Sequence, residues 1–191
     1  MTIVLASQSK QRDELLRQIG IHPVINPVHI DEAPYFVGMK NYRATLKEIG
    51  LAKAAAAKHK FRNSIIIGAD TVIMLNNRVY GKPKTDAGMR DMLRTFSGKK
   101  HTVITGVGVI NTGTGKTLSA YAESEVWFKK LTERDITWYI RTGEPSGRAG
   151  SYAIQGKGAV LIRKITGSYS NIVGLPLELV ATMLVSAGYR F

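Results

Sequence analysis

A carboxylate follows a strongly apolar segment near the middle of the chain. Residues 65–67 are three consecutive isoleucines, which is typical of a strand buried on both faces. Gly68 and Ala69 come next, and then Asp70. A buried charge costs free energy unless another group pairs or ligates it, and α/β proteins place their chemistry at strand ends of this kind. The sequence therefore predicts Asp70, at the end of this strand, as a functional residue.

A second candidate site lies between a predicted strand and a predicted helix near the N-terminus. Ser7 and Ser9 precede Lys10 and Arg12, which fall in the first turn of that helix. Serine hydroxyls and the free N–H groups of a helix start can hold an anion. Two basic residues carry the wrong sign for the helix dipole there, which favours a bound anion. The alternative, that a serine only caps the helix and the basic side chains are solvated, is equally open.

A metal site in this chain would have to be built from oxygen ligands. The chain has no cysteine, and its 4 histidines are not spaced one helical turn apart. Most acidic residues fall near predicted helix starts, on solvated helix faces or, for Glu123 and Glu125, on one face of a predicted strand, which leaves Asp31, Glu32, Asp70 and Glu144. One or two of these carboxylates, with substrate phosphates, could bind Mg²⁺ or Mn²⁺. For Asp31 and Glu32, an ordinary polar loop is the alternative.

Two lysines lie in unusual sequence contexts. Lys82 is in a rigid turn, Gly81-Lys82-Pro83, after a predicted strand. Lys53 interrupts the apolar helical stretch 51–57, from which it either extends its ammonium to water or reaches into a cleft. Neither lysine, taken alone, is distinguished from an ordinary solvated side chain.

The length of 191 residues predicts a single domain, residues 1–191, which could be divided into two lobes. No apolar run approaches the ~20 residues that span a bilayer. The N-terminus lacks the basic region and the length of a signal peptide. Together with the absence of cysteine, these features predict a cytoplasmic protein without a membrane partner.

The charge balance points to anionic partners. The chain has 27 basic and 14 acidic residues, for a formal net charge of +13. Nucleic acid, a membrane surface or a phosphorylated small molecule would each suit this charge. No basic run with interleaved aromatic residues is present, as single-stranded nucleic acid would favour, but a patch formed by folding stays open.

The elements that must position these residues alternate between helix and strand, which predicts an α/β fold with a mixed sheet. In chain order we predict a strand at 4–6, a helix at 10–19, an irregular segment at 28–40, a helix at 41–60, strands at 65–69, 72–75 and 79–80, a helix at 86–96, strands at 101–110 and 118–128, a helix from 132 to about 142, a glycine-rich loop at 143–158, a strand at 160–165 and a helix from Pro176 to Gly188.

Taken together, segments along nearly the whole chain resemble those of the Maf-like nucleoside triphosphate pyrophosphatases (septum formation inhibitor Maf). The matching segments keep the family's order, and together they are highly specific. They are Leu5-Ala6-Ser7-x-Ser9 with Arg12, Asp31-Glu32, Ala52-Lys53-Ala54, Gly68-Ala69-Asp70-Thr71-Val72, Gly81-Lys82-Pro83, Ser97-Gly98 with His101, Thr105 and Gly106, Gly143-Glu144-Pro145, residues 149–156, Gly167-Ser168-Tyr169, and residues 173–177.

The resemblance implies a fold, a reaction and a set of site residues. The expected fold is an elongated, Maf/ITPase-like α/β structure, with a mixed twisted sheet flanked by helices and a cleft between two lobes. The expected enzyme is a homodimer that hydrolyses nucleoside triphosphates to monophosphates and pyrophosphate with a divalent metal, Mg²⁺ or Mn²⁺. By their match to the family's motifs, the implied residues are Asp70 as the catalytic residue, Glu32 and Asp70 at the metal, and Ser7, Ser9, Arg12, Lys53 and Lys82 at the triphosphate.

Three positions bear on the base. Thr71 and Gln155 match the family branch that acts on dTTP and UTP, and they would contact the base or shape its pocket. Gln11 departs from the usual Ser-Pro-Arg-Arg pattern, and Lys10 could supply the missing charge. The sequence thus favours dTTP, UTP or modified pyrimidine nucleotides. The alternatives are the same reaction on 7-methyl-GTP and a basic nucleic-acid-binding module without catalysis.

Overall fold

The computed structural model describes residues 1–37 and 41–191. These divide into two compact units. Unit 1 comprises Met1–Thr71, Thr105–Ala122 and Gly174–Phe191, and unit 2 comprises Val72–Ile104 and Glu123–Val173. Positions 38–40, at the end of the irregular segment predicted at 28–40, lie outside the described residues.

Helices and strands alternate along the described parts of the chain. The strands are β1 (Thr2–Leu5), β2 (Val24–Ile25), β3 (Ser64–Leu75), β4 (Arg78–Tyr80), β5 (Lys100–Asn111), β6 (Thr117–Phe128) and β7 (Ile162–Thr166). The α-helices are α1 (Lys10–Gln18), α2 (Ala33–Phe36), α3 (Tyr42–Ala57), α4 (Asp86–Phe96), α5 (Glu133–Arg141), α6 (Tyr169–Val173) and α7 (Leu177–Ser186). Across residues 1–37 and 41–191, none of the helices combines the length and the apolar character that a membrane span requires.

The strands form one mixed sheet in the order β2-β1-β3-β5-β6-β7, with β4 paired to β3. Strand β1 runs parallel to both β2 and β3, in a register that places Val4 beside Val24 and Ile66. Strand β4 is antiparallel to β3, and β7 is antiparallel to β6. The predicted α/β class with a mixed sheet is therefore confirmed.

Several predicted boundaries differ from those in the structure. The strands predicted at 65–69 and 72–75 are one continuous strand, β3. The helix predicted at 41–60 ends at Ala57 and continues as a 3₁₀ turn. The predicted glycine-rich loop contains 3₁₀ turns at Ala149–Ser151 and Gly156–Leu161, the second of which delays the following strand to Ile162. Strand β2, with two exposed residues, is too short to produce a periodic pattern.

In unit 1, helix α3 lies directly on strands β3 and β5 because glycines remove the side chains between them. A Cβ on Gly68 would collide with the carbonyl oxygen of Gly50 and the amide nitrogen of Ala54. A Cβ on Gly50 would lie 2.9 Å from the carbonyl oxygen of Gly106, and Gly108 is similarly confined by the α3 backbone. This close approach fixes α3, and with it Lys53, against the middle of β3.

In unit 2, aromatic rings enclose a buried histidine. His101 is 2% exposed, and its ring centroid lies 4.6 Å from that of Phe96 and 5.4 Å from that of Phe128. Its Nε2 lies 2.8 Å from the hydroxyl oxygen of Tyr152. Burial lowers the pKa of His101 to about 4, so the ring is neutral near pH 7. His101 is therefore a core residue.

Candidate active site

Asp70 lies inside strand β3, so the prediction that it ends a strand is wrong. The neighbouring strand β1 is the one that ends here, with Leu5 paired to Ile67 and Ala6 donating its N–H to the carbonyl of Ile67. Strand β3 continues beyond this point, with β5 as its other neighbour in the sheet and β4 paired to Ile73–Leu75. Asp70 thus lies just past the carboxyl end of β1, and its side chain is 14% exposed. Such edges of parallel strands are common ligand sites in α/β proteins.

Lys53 places its ammonium between two carboxylates. The Nζ atom lies 2.6 Å from Oδ1 of Asp70 and 2.7 Å from Oε1 of Glu32. The Lys53 side chain is only 13% exposed, so it does not extend to bulk water as one alternative proposed. Helix α3 thus brings together three of the predicted site residues, from three separate segments of unit 1.

The pair of carboxylates fits a hard divalent cation. The Lys53 ammonium shows that the oxygens of Glu32 and Asp70 can share one cation. Mg²⁺ and Mn²⁺ prefer oxygen ligands, and they are commonly held by one or two carboxylates together with substrate phosphates. In the described part of the chain, no group of three or more His, Cys, Asp or Glu side chains could hold a metal. The remaining ligands would therefore come from substrate and water.

The other two acidic candidates have structural partners instead. Oδ1 of Asp31 accepts a hydrogen bond of 3.1 Å from the N–H of Ala33, so the polar-loop alternative describes it well. The carboxylate of Glu144 accepts hydrogen bonds from the backbone N–H groups of Lys157 and Gly158, both 2.8 Å, and from the hydroxyl of Tyr139. Partial burial raises the pKa of Glu144, but these donors together bring it below its usual value. Glu144 therefore stabilises a loop of unit 2.

The serines before α1 form a local hydrogen-bond network. Ser9 is the N-cap, and its Oγ accepts from the N–H of Arg12 at 3.4 Å and donates to Oε1 of Gln11 at 3.4 Å. Oγ of Ser7 accepts from the N–H of Ser9 at 3.2 Å. The capping alternative is thus confirmed for Ser9, while Lys10 is exposed to solvent.

Arg12 is directed into unit 1 and donates to protein acceptors along its whole guanidinium. Nε donates to the carbonyl of Gly174 at 2.9 Å, and Nη1 donates to the carbonyl of Ala69 at 2.9 Å and to Oγ of Ser7 at 3.2 Å. Nη2 donates to Oγ1 of Thr71 at 3.1 Å. Burial lowers the pKa of Arg12, against the opposing attraction of the Asp70 and Glu32 carboxylates.

The hydroxyl of Thr71 is held by the same group of atoms. Its Oγ1 lies 2.9 Å from Oγ1 of Thr105 and 3.3 Å from the carbonyl oxygen of Gly174, in addition to the contact with Arg12. Sequence reasoning gave Thr105 and Gly174 no role. One signal was available for Thr105, since it is a polar residue within a predicted buried strand.

Lys82 and Gln155 belong to unit 2. Lys82 is exposed just after β4, and Gln155 precedes the 3₁₀ turn Gly156–Leu161. The structure of unit 1 thus brings together Ser7, Arg12, Glu32, Lys53, Asp70 and Thr71. The functional roles of these residues stay predictions, as do those of Lys82, Gln155 and Gln11.

Chemically, the unit 1 cluster combines two carboxylates, one shared ammonium and the start of a helix. Carboxylates can bind a divalent cation or accept a proton from water. The ammonium and the helix start can neutralise phosphate oxygens. The arrangement is therefore suited to hydrolysis of a phosphate anhydride.

Comparisons with known proteins agree with this chemistry. A protein-family model described as "Maf-like protein" matches residues 2–187. Among curated relatives, the dTTP/UTP pyrophosphatase of Pelotomaculum thermopropionicum is 42% identical over 98% of this chain and 97% of its own length. The dTTP/UTP pyrophosphatase of Methanosarcina barkeri is 39% identical over 97% of this chain and 94% of its own length.

Among solved structures, a HAM1 protein from Coxiella burnetii is similar in fold, with a TM-score of 0.51 and 15% sequence identity. The match covers 97% of this chain and 99% of that protein. At this identity the similarity concerns the fold alone.

Proposed function

Because the chain belongs to the Maf-like protein family, we propose that it is a nucleoside triphosphate pyrophosphatase that acts on dTTP and UTP. The observation that carries the proposal is the pairing of Glu32 and Asp70 on the single ammonium of Lys53. Two carboxylates that can share a cation, beside a helix start, suit a substrate that carries its own divalent cation and several phosphate charges.

In the proposed reaction, water attacks the α-phosphorus of the nucleotide. The bond from this phosphorus to the oxygen that bridges the α- and β-phosphates breaks, and pyrophosphate leaves with that oxygen. Asp70 either holds the cation or orients the water and takes its proton, and both roles suit a carboxylate beside a cation. Catalysis then consists mainly of positioning and charge stabilisation.

Mg²⁺ or Mn²⁺ is the proposed cofactor, held by Asp70 and Glu32. When bound, such a cation neutralises triphosphate charge and polarises the attacked phosphoryl group. Lys53 offers its ammonium to the triphosphate, and Ser7 and Ser9 lie at the start of α1, where backbone N–H groups favour anions. Lys82 is proposed as a further triphosphate ligand on the basis of its motif.

Selectivity for dTTP and UTP is supported by the names of the curated relatives. Thr71 and Gln155 fit that branch by residue type, whereas Gln11 does not follow the usual pattern. Action on modified pyrimidine nucleotides or on 7-methyl-GTP is the competing specificity. A homodimer and a cytoplasmic location stay predictions.

A panel of nucleoside triphosphates tests the proposal. We expect pyrophosphate release from dTTP and UTP that requires Mg²⁺ or Mn²⁺, with slower release from 7-methyl-GTP and the purine nucleotides. Asp70→Asn should lose most of the activity while its unfolding curve stays that of a folded protein. Full activity of Asp70→Asn would exclude the role of Asp70. Salt-sensitive oligonucleotide binding without turnover of any nucleotide would exclude the enzyme and favour a nucleic-acid-binding function.

A further inference from the structure

Both chain neighbours of Asp70 are bonded to the same side chain. Arg12 donates from Nη1 to the carbonyl of Ala69, and from Nη2 to the hydroxyl of Thr71. Ala69 precedes Asp70 and Thr71 follows it. The segment that carries the candidate catalytic carboxylate is therefore held from both sides by one rigid, planar group.

The guanidinium of Arg12 is almost fully used by these internal contacts. A guanidinium has five N–H donors, one on Nε and two on each terminal nitrogen. The Nε–H bonds to Gly174, both Nη1 hydrogens have acceptors in Ser7 and Ala69, and one Nη2 hydrogen bonds to Thr71. A triphosphate could take further bonds from Arg12 only by displacing these acceptors or by using the remaining Nη2 hydrogen.

The position of Arg12 on α1 is explained by the same contacts. A basic residue in the first turn opposes the helix dipole, which by itself favours a bound anion. Here the buried acceptors Ala69 and Gly174, and the negative charges of Asp70 and Glu32, supply the stabilisation instead. A phosphate ligand is not needed to account for an arginine at this position.

We propose that Arg12 is a positioning residue that fixes Asp70 through Ala69 and Thr71, instead of a direct ligand of the triphosphate. The proposal rests on the proposed function, in which Asp70 acts at the α-phosphate. The proposal also changes the role of Thr71. Its hydroxyl is hydrogen-bonded to Arg12, Thr105 and Gly174, so Thr71 affects base selection only indirectly.

The decisive variant is Arg12→Lys, which keeps the charge and loses the planar set of donors. A positioning role predicts that kcat falls ~100-fold, because a misplacement on the scale of 1 Å has effects of that size. KM for dTTP and the Kd of a non-hydrolysable dTTP analogue, α,β-imido-dTTP, should change less than about threefold. A direct triphosphate contact predicts the reverse, with analogue binding weakened roughly tenfold or more. That result would overturn the proposal.

Two further variants keep the test decisive if Arg12→Lys fails to fold. Thr71→Val removes the hydroxyl that Nη2 uses and keeps the shape, so kcat should fall ~10-fold with analogue binding unchanged. Thr71→Ser restores the hydroxyl and should restore most of the activity. If Thr71→Val turned over dTTP at the wild-type rate, the proposed tether would be refuted. Arg17→Lys is the matched control, because Arg17 lies on the same helix and pairs with Asp13 at the surface.

A nucleotide-free measurement separates this proposal from the proposed function. If the wild-type protein released pyrophosphate from no nucleotide, the proposed function would fail, and the tether would still be tested by hydrogen exchange. In Arg12→Lys, or in Thr71→Val if the former does not fold, the amides of residues 69–71 should exchange at least ~10-fold faster than in the wild type. Unchanged exchange at these amides would overturn the positioning role of Arg12.

Discussion

The ammonium of Lys53 lies 2.6 Å from Oδ1 of Asp70, with both side chains largely shielded from solvent. The two residues come from different elements, α3 and β3, and the same ammonium also reaches Glu32. The charged centre of unit 1 therefore depends on how closely the helix approaches the sheet.

Removing the ammonium should impair both stability and turnover. In Lys53→Met, Asp70 loses its paired charge, and we expect a loss of about 2 kcal/mol in the free energy of unfolding. Pyrophosphate release should fall at least ~100-fold. Urea unfolding and steady-state kinetics check these outcomes, with the exposed Lys60→Met as the control. A fully active Lys53→Met would show that the ammonium has no part in the reaction.

The Mg²⁺ requirement should distinguish the role of Glu32 from that of its neighbour Asp31. Glu32→Gln removes a charge from the proposed metal pair, so the Mg²⁺ concentration that gives half-maximal activity should rise ~10-fold. Asp31→Asn is the matched control, because its carboxylate caps the N–H of Ala33 and an amide oxygen can replace it. Activity should vanish with EDTA and return with Mg²⁺ or Mn²⁺. Equal Mg²⁺ requirements in the two variants would contradict the assignment of Glu32.

The contact between α3 and β3 should not tolerate a single methyl group. In Gly68→Ala, the new Cβ collides with the backbone of Gly50 and Ala54, neither of which can move without displacing the helix. We expect a destabilisation of about 3 kcal/mol, at the upper end for overpacking, together with reduced activity. Gly81→Ala is the control, because a Cβ at Gly81 meets no atom within 4 Å. Equal unfolding midpoints for the two variants would be incompatible with this packing.

Acid should destabilise the fold through His101. Its pKa in the folded protein is about 4, below the ordinary value of 6.5, so the unfolded chain binds more protons between these two values. The contribution of the neutral His101 ring to the free energy of unfolding is complete above pH 6.5 and is lost as the pH falls towards 4. The loss amounts to about 3 kcal/mol at most.

The His101→Gln variant checks this contribution. Its free energy of unfolding, measured by urea titration from pH 7 to pH 4, should fall less steeply with acid than that of the wild type. His59→Gln, at an exposed position after α3, is the control and should keep the wild-type slope. Parallel pH profiles for wild type and His101→Gln would rule out a buried neutral ring.

The sequence was sufficient where local signals determine structure. Helix α4 has the predicted bounds, 86–96, because Thr85 caps its start and the apolar positions recur at helical spacing. The gap between the strands predicted at 72–75 and 79–80 contains Asn76 and Asn77, and both residues have the positive φ angles that a tight hairpin needs. The charged residues Glu32, Lys53 and Asp70 were all identified as candidates from their unusual sequence contexts or motifs.

The sequence was insufficient where backbone atoms of distant segments are the partners. Arg12 was identified, but its acceptors at Ala69 and Gly174 are carbonyl groups, which every residue has, 57 and 162 positions away. No side-chain pattern encodes such contacts. Likewise, the polar pair Asp70-Thr71 suggested a break in the strand, because the sequence does not show that β3 extends without interruption from its pairing with β1 to its pairing with β4 at Ile73–Leu75.

The position of the Lys53 ammonium between Glu32 and Asp70 also bears on the order in which a cation and a nucleotide would bind. A cation that enters alone must compete with the Lys53 ammonium, which already pairs with one oxygen of each carboxylate. A nucleotide that arrives with the cation would let the ammonium leave the carboxylates, because its phosphates are new anionic partners for the lysine. In the proposed function, the Lys53 ammonium would therefore keep the two carboxylates aligned in the nucleotide-free protein, would disfavour binding of a cation alone, and would turn to the phosphates when a cation and a triphosphate bind together.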